Sequence, residues 1–207
     1  MSRLRVALTF DAEHPDRPAK AGNAQALVAR LAAHGVRATF FVQGRWAEAY
    51  PGTVQQIVAG GHLVGSHSHY HARMPLLTDA GIAADLADAA AAIESAGVGD
   101  PRPWFRCPFG AGTADARVLA AVATAGYRHV GWHVAVDDWE PACDPAAVTA
   151  AVVAGLLEHG DGSVVLLHTW PNATLEAIDP ILAGLAASGA EFCRIDALTE
   201  IPASVTW

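Results

Sequence analysis

Positive charge is scarce in this chain: 13 Lys and Arg stand against 21 Asp and Glu in 207 residues, a formal net charge of −8. The cations are also scattered, whereas phosphate backbones and anionic lipids are held by clustered ones, so nucleic acid and membrane surfaces are excluded as partners. Long apolar runs are missing too. None approaches the roughly 20 residues that span a bilayer, and MSRLRVALTF enters a strand pattern at once, with no signal-peptide core or cleavage site, so the expected location is the cytoplasm. Cysteine is sparse: Cys107, Cys143 and Cys193 form no CxxC pair and leave one unpaired in any disulfide scheme, which predicts reduced thiols. No Pro/Gly/Ser-rich stretch, charge run or internal repeat divides the chain. With 52% hydrophobic residues it can bury one sizeable core, and a single domain over residues 1–207 is expected.

Short apolar runs rich in Val, Phe and Leu alternate with Ala-rich segments of helical spacing, the pattern of a parallel α/β protein. Seven strands are predicted, at Arg5–Phe10, Arg37–Val42, His62–Ser66, Pro103–Arg106, Arg128–Val134, Ser163–His168 and Glu191–Ile195. Between them, apolar residues fall on one helical face: Leu27, Val28 and Leu31; Val54, Ile57 and Val58; Ile82, Leu86 and Ile93; Val118, Leu119 and Val122; Val148, Val152 and Leu156. Gly35, Gly97, Gly126, Gly160 and Gly189 follow these runs as C-cap candidates, and Thr78 and Asp144 precede them as N-caps. Asp179 before Pro180 either caps the last helix or marks a kink inside it.

In a β/α barrel the chemistry lies at the C-terminal ends of the strands. Five of the seven predicted strands deliver a reactive-looking group there: Asp11 and Glu13; His67, His69 and His71; Arg106; Asp137, Asp138 and Trp139; and His168. Alternation puts Asp11 and Glu13 on one face, where one can bind a cation while the other takes a proton. In HSHYH, His67 and His71 aim at one point if the segment makes a helical turn; all three imidazoles share a face if it stays extended. Two histidines with Glu13 or Asp11 make the open ligand set of a catalytic metal rather than the closed one of a structural metal. His168 emerges from a buried run, where a general acid could stand. Arg106 could orient a carboxylate through its planar fork. Cys107 beside it reads as a packed small side chain rather than a nucleophile, because no base is assigned to it.

TFDAE, HSHYH, RCPFG, VDDW and LLH, in that order, resemble the five motifs of the polysaccharide deacetylase (NodB-homology, carbohydrate esterase family 4) proteins, and ATFFVQG and GYRHVGW look like that family too. The resemblance covers residues 5–200. It implies a distorted (β/α)7 barrel, one divalent metal ion (zinc first, cobalt or nickel as alternatives), and hydrolysis of acetyl groups on a small-molecule or oligosaccharide substrate. Carried over by position, Asp11 is the general base, His67 and His71 are metal ligands, Arg106 orients the base and His168 is the general acid. Pro108, Phe109 and Trp139 are the substrate-binding candidates, Trp139 as a wall of the acyl pocket. Two departures stand out. The family's usual second aspartate is Ala12 here, so Glu13 is expected to serve as third ligand; the carboxylate that usually supports the acid is replaced by Ala135, with Asp137 or Asp138 as substitutes. The alternative readings are a cyclic amide or imide hydrolase of the same fold and a catalytically silent carbohydrate-binding homologue.

Overall fold

The computed structural model describes residues 4–15 and 22–206. The chain begins with β1 (Leu4–Ala12), α1 (Asn23–Ala33), β2 (Thr39–Val42), α2 (Gly44–Ala49), α3 (Pro51–Ala59) and β3 (Leu63–Ser66). It continues with α4 (Asp79–Ser95), β4 (Trp104–Phe105), α5 (Ala116–Thr124), β5 (Arg128–His129) and β6 (Val134–Ala135). The last elements are α6 (Pro145–His159), β7 (Ser163–His168), α7 (Asn172–Ala187) and β8 (Ala190–Phe192). Every strand pair is parallel, in the order β5-β4-β3-β2-β1-β7-β6.

β5 and β6 lie at the two ends of that order yet are neighbours in sequence. The predicted strand Arg128–Val134 is one segment that pairs first with β4 and then with β7, so it closes the circuit by changing partners midway. This breaks the single expected strand into two short ones. Val6 pairs with Ser163 of β7 and with Phe192 of β8, so β8 must occupy the other edge of β1, below its pairing with β2. The result is the distorted (β/α)7 barrel.

Alternation sorts each strand into two faces. Val6, Leu8, Phe10, Phe40 and Val42 face out and pack under the helices with Leu27, Leu31, Ile57, Val152 and Ile178. Ala7, Phe41, Trp132, Val164 and Leu166 form an inner cluster. Both faces are covered, which is why the strands read as nearly continuous apolar runs. All five C-cap glycines take positive φ, between 64° and 95°. Thr78 accepts from the Gly81 N–H and Asp144 from that of Ala146, capping α4 and α6. Pro180 sits inside α7, whose N-cap is Pro171, so Asp179 does not cap that helix. Val58, expected on a core-facing stripe, is exposed. Among the described residues no helix is long and apolar enough to cross a membrane.

Candidate active site and metal centre

The inward face of β1 carries Asp11, and the chain just past its end brings Glu13 over the same mouth; both are buried. On β3's side, the segment 67–71 is neither a helical turn nor extended. Ser68 and His71 adopt left-handed φ of 63° and 56°, folding the segment so that His67 and His71 face Glu13 while His69 turns toward Gly44. One ligand atom each from Glu13, His67 and His71 lies within 4.8 Å of the other two. Nε2 of His67 is 3.2 Å from Oε2 of Glu13, and Nε2 of His71 meets the same oxygen.

The donor set fits a cation. His67 Nδ1 is 2.9 Å from the Arg106 carbonyl, an acceptor only, so Nδ1 carries a proton and Nε2 is the atom aimed at Glu13; burial opposes charging the ring, but Asp11 and Glu13 raise it by favouring a second proton on Nε2, one that a cation would replace. Lone pairs of nitrogen and carboxylate then converge on one point, an arrangement that a proton or a metal ion must relieve. Burial drives the His71 imidazole down to about 4, overriding the pull of Glu13, which leaves it neutral and able to ligate. Burial would raise Glu13, but the imidazoles of His14, His67 and His71 gathered around it hold it well below the usual carboxylate range.

Asp11 lies beside this triangle. Its Oδ1 accepts from Arg106 Nη1 at 2.9 Å, and Oδ2 is 3.4 Å from His67 Nε2. Arg106 is fully buried, donating to the carbonyls of Val130 and Gly131 and stacking its guanidinium 4.1 Å over the Phe41 ring. It therefore has no freedom to leave Asp11. Across the mouth, β7 ends at His168. Its Nδ1 lies 2.7 Å from Oδ1 of Asp138, and its backbone N–H donates to Oδ2 of the same carboxylate at 2.8 Å; Thr174 also donates to Oδ2. Burial opposes charging the ring, yet Asp138, then Glu13 and Asp11, raise it to about 9. Asp137 is exposed; of the two substitutes, Asp138 meets the ring.

A cavity of about 150 Å³ joins these groups, lined by Asp11, Glu13, His67, His71 and His168 together with His14, Cys107, Phe109, Trp132, Trp139, Leu166 and Trp170. Residues 1–130 match the family described as polysaccharide deacetylase. The chain belongs to that family. It is 31% identical over 198 residues to the peptidoglycan-N-acetylglucosamine deacetylase PgdA of Listeria monocytogenes, spanning 94% of this chain but 38% of that protein. A family 4 carbohydrate esterase from Streptomyces lividans, solved with acetate, superposes with a TM-score of 0.79 at 34% identity over 90% of both chains. A family 4 pseudoenzyme from Bacillus anthracis superposes at 0.83 with 26% identity, over 95% of this chain and 65% of that one.

As a member of the polysaccharide deacetylase family the chain departs at Ala12, whose side chain faces the outer core, while Glu13 reaches the mouth. Of the substrate-binding candidates, Phe109 and Trp139 line the cavity. Pro108 does not; it is buried under the loop, and Cys107 lines the wall in its place. Burial pushes the Cys107 thiol up to about 12, which suits the packed side chain and not a nucleophile. His14, Trp132, Leu166 and Trp170 escaped the sequence reading. Leu166 and Trp170 stand two residues either side of His168, so the same alternation that exposes His168 could have found them.

Proposed function

We propose that the chain is a metal-dependent deacetylase that hydrolyses the N-acetyl group of an N-acetylated sugar or oligosaccharide. The observation that carries this reading is the convergence on one cavity of a carboxylate held by a buried arginine, a two-histidine, one-carboxylate ligand set, and a protonated histidine backed by a buried aspartate. The named activities of the Listeria and Streptomyces relatives support it. Glu13, His67 and His71 would hold one divalent ion, zinc first. Such an ion supplies Lewis-acid polarisation of the acyl carbonyl and a more acidic water.

The chain's own groups account for the rest. Asp11, ionised beside Arg106, accepts the proton of the attacking water through the carboxylate oxygen that Arg106 leaves free. The oxyanion needs a backbone donor, and in the 106–110 loop the choice is narrow. The N–H groups of Arg106, Cys107 and Gly110 donate to Ser66, His129 and Cys107, and Pro108 has none, which points to that of Phe109. His168 delivers its Nε2 proton to the departing amine, Asp138 having fixed Nδ1–H. Trp139, edge-on to His168 at 5.2 Å, together with Trp132, Trp170 and Leu166, excludes water from the acyl group.

The test is release of acetate and free amine from N-acetylglucosamine oligomers by zinc-loaded protein. Stoichiometric zinc with no acetate from any acetamido sugar, but opening of a cyclic imide, would move the assignment to that alternative reaction. Absence of both metal and hydrolysis would favour a silent homologue.

A further inference from the structure

The two ligand histidines sit on a backbone that does not hold itself. Ser68 and His71 are both in the left-handed region, which non-glycine residues adopt only where surroundings impose it. The hydrogen bonds of segment 67–71 go almost entirely to other elements. The N–H of His67 donates to Val42, the carbonyls of Ser68 and His69 accept from the N–H groups of Gly44 and Arg45 at the start of α2, and the His71 N–H donates to Ser68 Oγ at 2.8 Å. The N–H groups of His69 and Tyr70 both donate to Asp85, at 3.0 Å to Oδ1 and 3.0 Å to Oδ2. Asp85 lies on α4, 16 residues beyond His69 and buried to 4% exposure. A two-pronged carboxylate there fixes the direction of two successive peptide planes, and those planes lie between the ligands.

We infer that Asp85 is a positioning residue for the metal centre: it holds the 67–71 backbone in the one arrangement that brings His67 and His71 to the same oxygen of Glu13. The inference rests on the ligand reading given above. Packing is close on the α2 side as well, where a Cβ on Gly44 would overlap Nδ1 of His69. With the carboxylate gone, the buried His69 N–H and the part-buried Tyr70 N–H would lose their acceptor, and the segment relaxes toward ordinary φ, separating the two imidazoles. The effect falls on the metal, because neither Asp85 nor the N–H groups it binds touch the cavity.

The experiment measures zinc affinity by chelator competition, the visible spectrum of the cobalt-substituted protein, and amide exchange at His69 and Tyr70. Asp85→Ala is expected to weaken zinc binding by about 10- to 100-fold, the range for removing an outer partner of a ligand, to change the cobalt spectrum, and to speed exchange at the two amides. Asp85→Asn, which keeps one acceptor oxygen, should fall between it and wild type. Ile93→Val, a core truncation two turns along the same helix, should leave zinc affinity and cobalt spectrum unchanged and so separates positioning from general destabilisation. Folded Asp85→Ala with wild-type zinc affinity and spectrum would overturn the inference, as would an equal loss in Ile93→Val. Wild-type protein that binds no stoichiometric zinc would overturn the ligand reading and the role of Asp85 together.

Discussion

His71 and His168 are both buried imidazoles with a carboxylate at a ring nitrogen, yet they are driven apart, His71 down to about 4 and His168 up to about 9. Burial pushes both down; the difference lies in how each carboxylate is shared. Glu13 divides its charge among His14, His67 and His71, and His67 adds repulsion at His71. Asp138 spends both oxygens on His168, with Thr174 as its other partner, and Glu13 and Asp11 add to the attraction from across the mouth. One side of the cavity thus keeps the His71 imidazole neutral for ligation and the other keeps His168 charged for proton delivery. The division comes from carboxylate sharing, since burial is common to both.

Breaking either half should give a distinct phenotype. His67→Ala is expected to lose stoichiometric zinc and with it essentially all turnover, because the remaining pair is an incomplete ligand set. Metal content after gel filtration, read beside acetate release, checks this, and full occupancy in the variant would sink the site. Asp11→Asn should keep its zinc and lose about 10²- to 10⁴-fold in kcat, the usual loss for a general base, since an amide cannot take the water proton. Loss of zinc in Asp11→Asn together with retention in Glu13→Gln would exchange the two roles.

Much of this division was legible in the sequence because it follows strand alternation. Asp11, Arg106 and His168 are inward-facing residues at or just past strand ends, and period two picks Asp138 over Asp137 for the ring. What escaped reading depends on partners remote in the chain. The split of 128–135 into β5 and β6 reflects pairing with β4 and then β7, which no local pattern encodes. The left-handed turns at Ser68 and His71 are imposed by α2 and Asp85, so neither a helical nor an extended template could describe them. α2 itself, six residues long, is too short for a periodic signal. His14 carries no periodic or motif signal, and only the fold shows its ring against Glu13.

The acid half can be sharpened through pH. A proton held up to about 9 means that the acid is available below that pH and lost as pH rises through it. Asp138→Asn removes the main group that raises His168; burial then pulls the ring downward, so the alkaline limb of kcat should move to lower pH, with zinc affinity unchanged. Activity near neutrality should drop by about tenfold or less, because part of the population still carries the proton. A limb that stays in place in Asp138→Asn would detach His168 from Asp138; the same limb in Asp137→Asn is expected, as that side chain is exposed.

The smallest expected effect separates His14 from the three ligands. Its Nε2 is 3.1 Å from Oε1 of Glu13, the oxygen that His67 and His71 do not use, so it steadies the carboxylate without being part of the triangle. That matters because Glu13 stands where a longer, freer side chain replaces the usual aspartate at Ala12. The ring is partly open to solvent, at 22% exposure, so water can take over as donor and only a fraction of a charged hydrogen bond is lost, about 1 kcal/mol or roughly fivefold in zinc affinity. The variant must also respect the backbone: His14 has φ of 55°, a conformation asparagine tolerates and alanine does not. His14→Asn keeps the turn, and the Gln43 side chain can still accept from its N–H, while the shorter amide cannot reach Glu13. Zinc titration of His14→Asn should show the fivefold weakening with kcat at saturating zinc within twofold of wild type. A loss as large as that of His67→Ala would instead make His14 a ligand and redraw the metal half of the cavity.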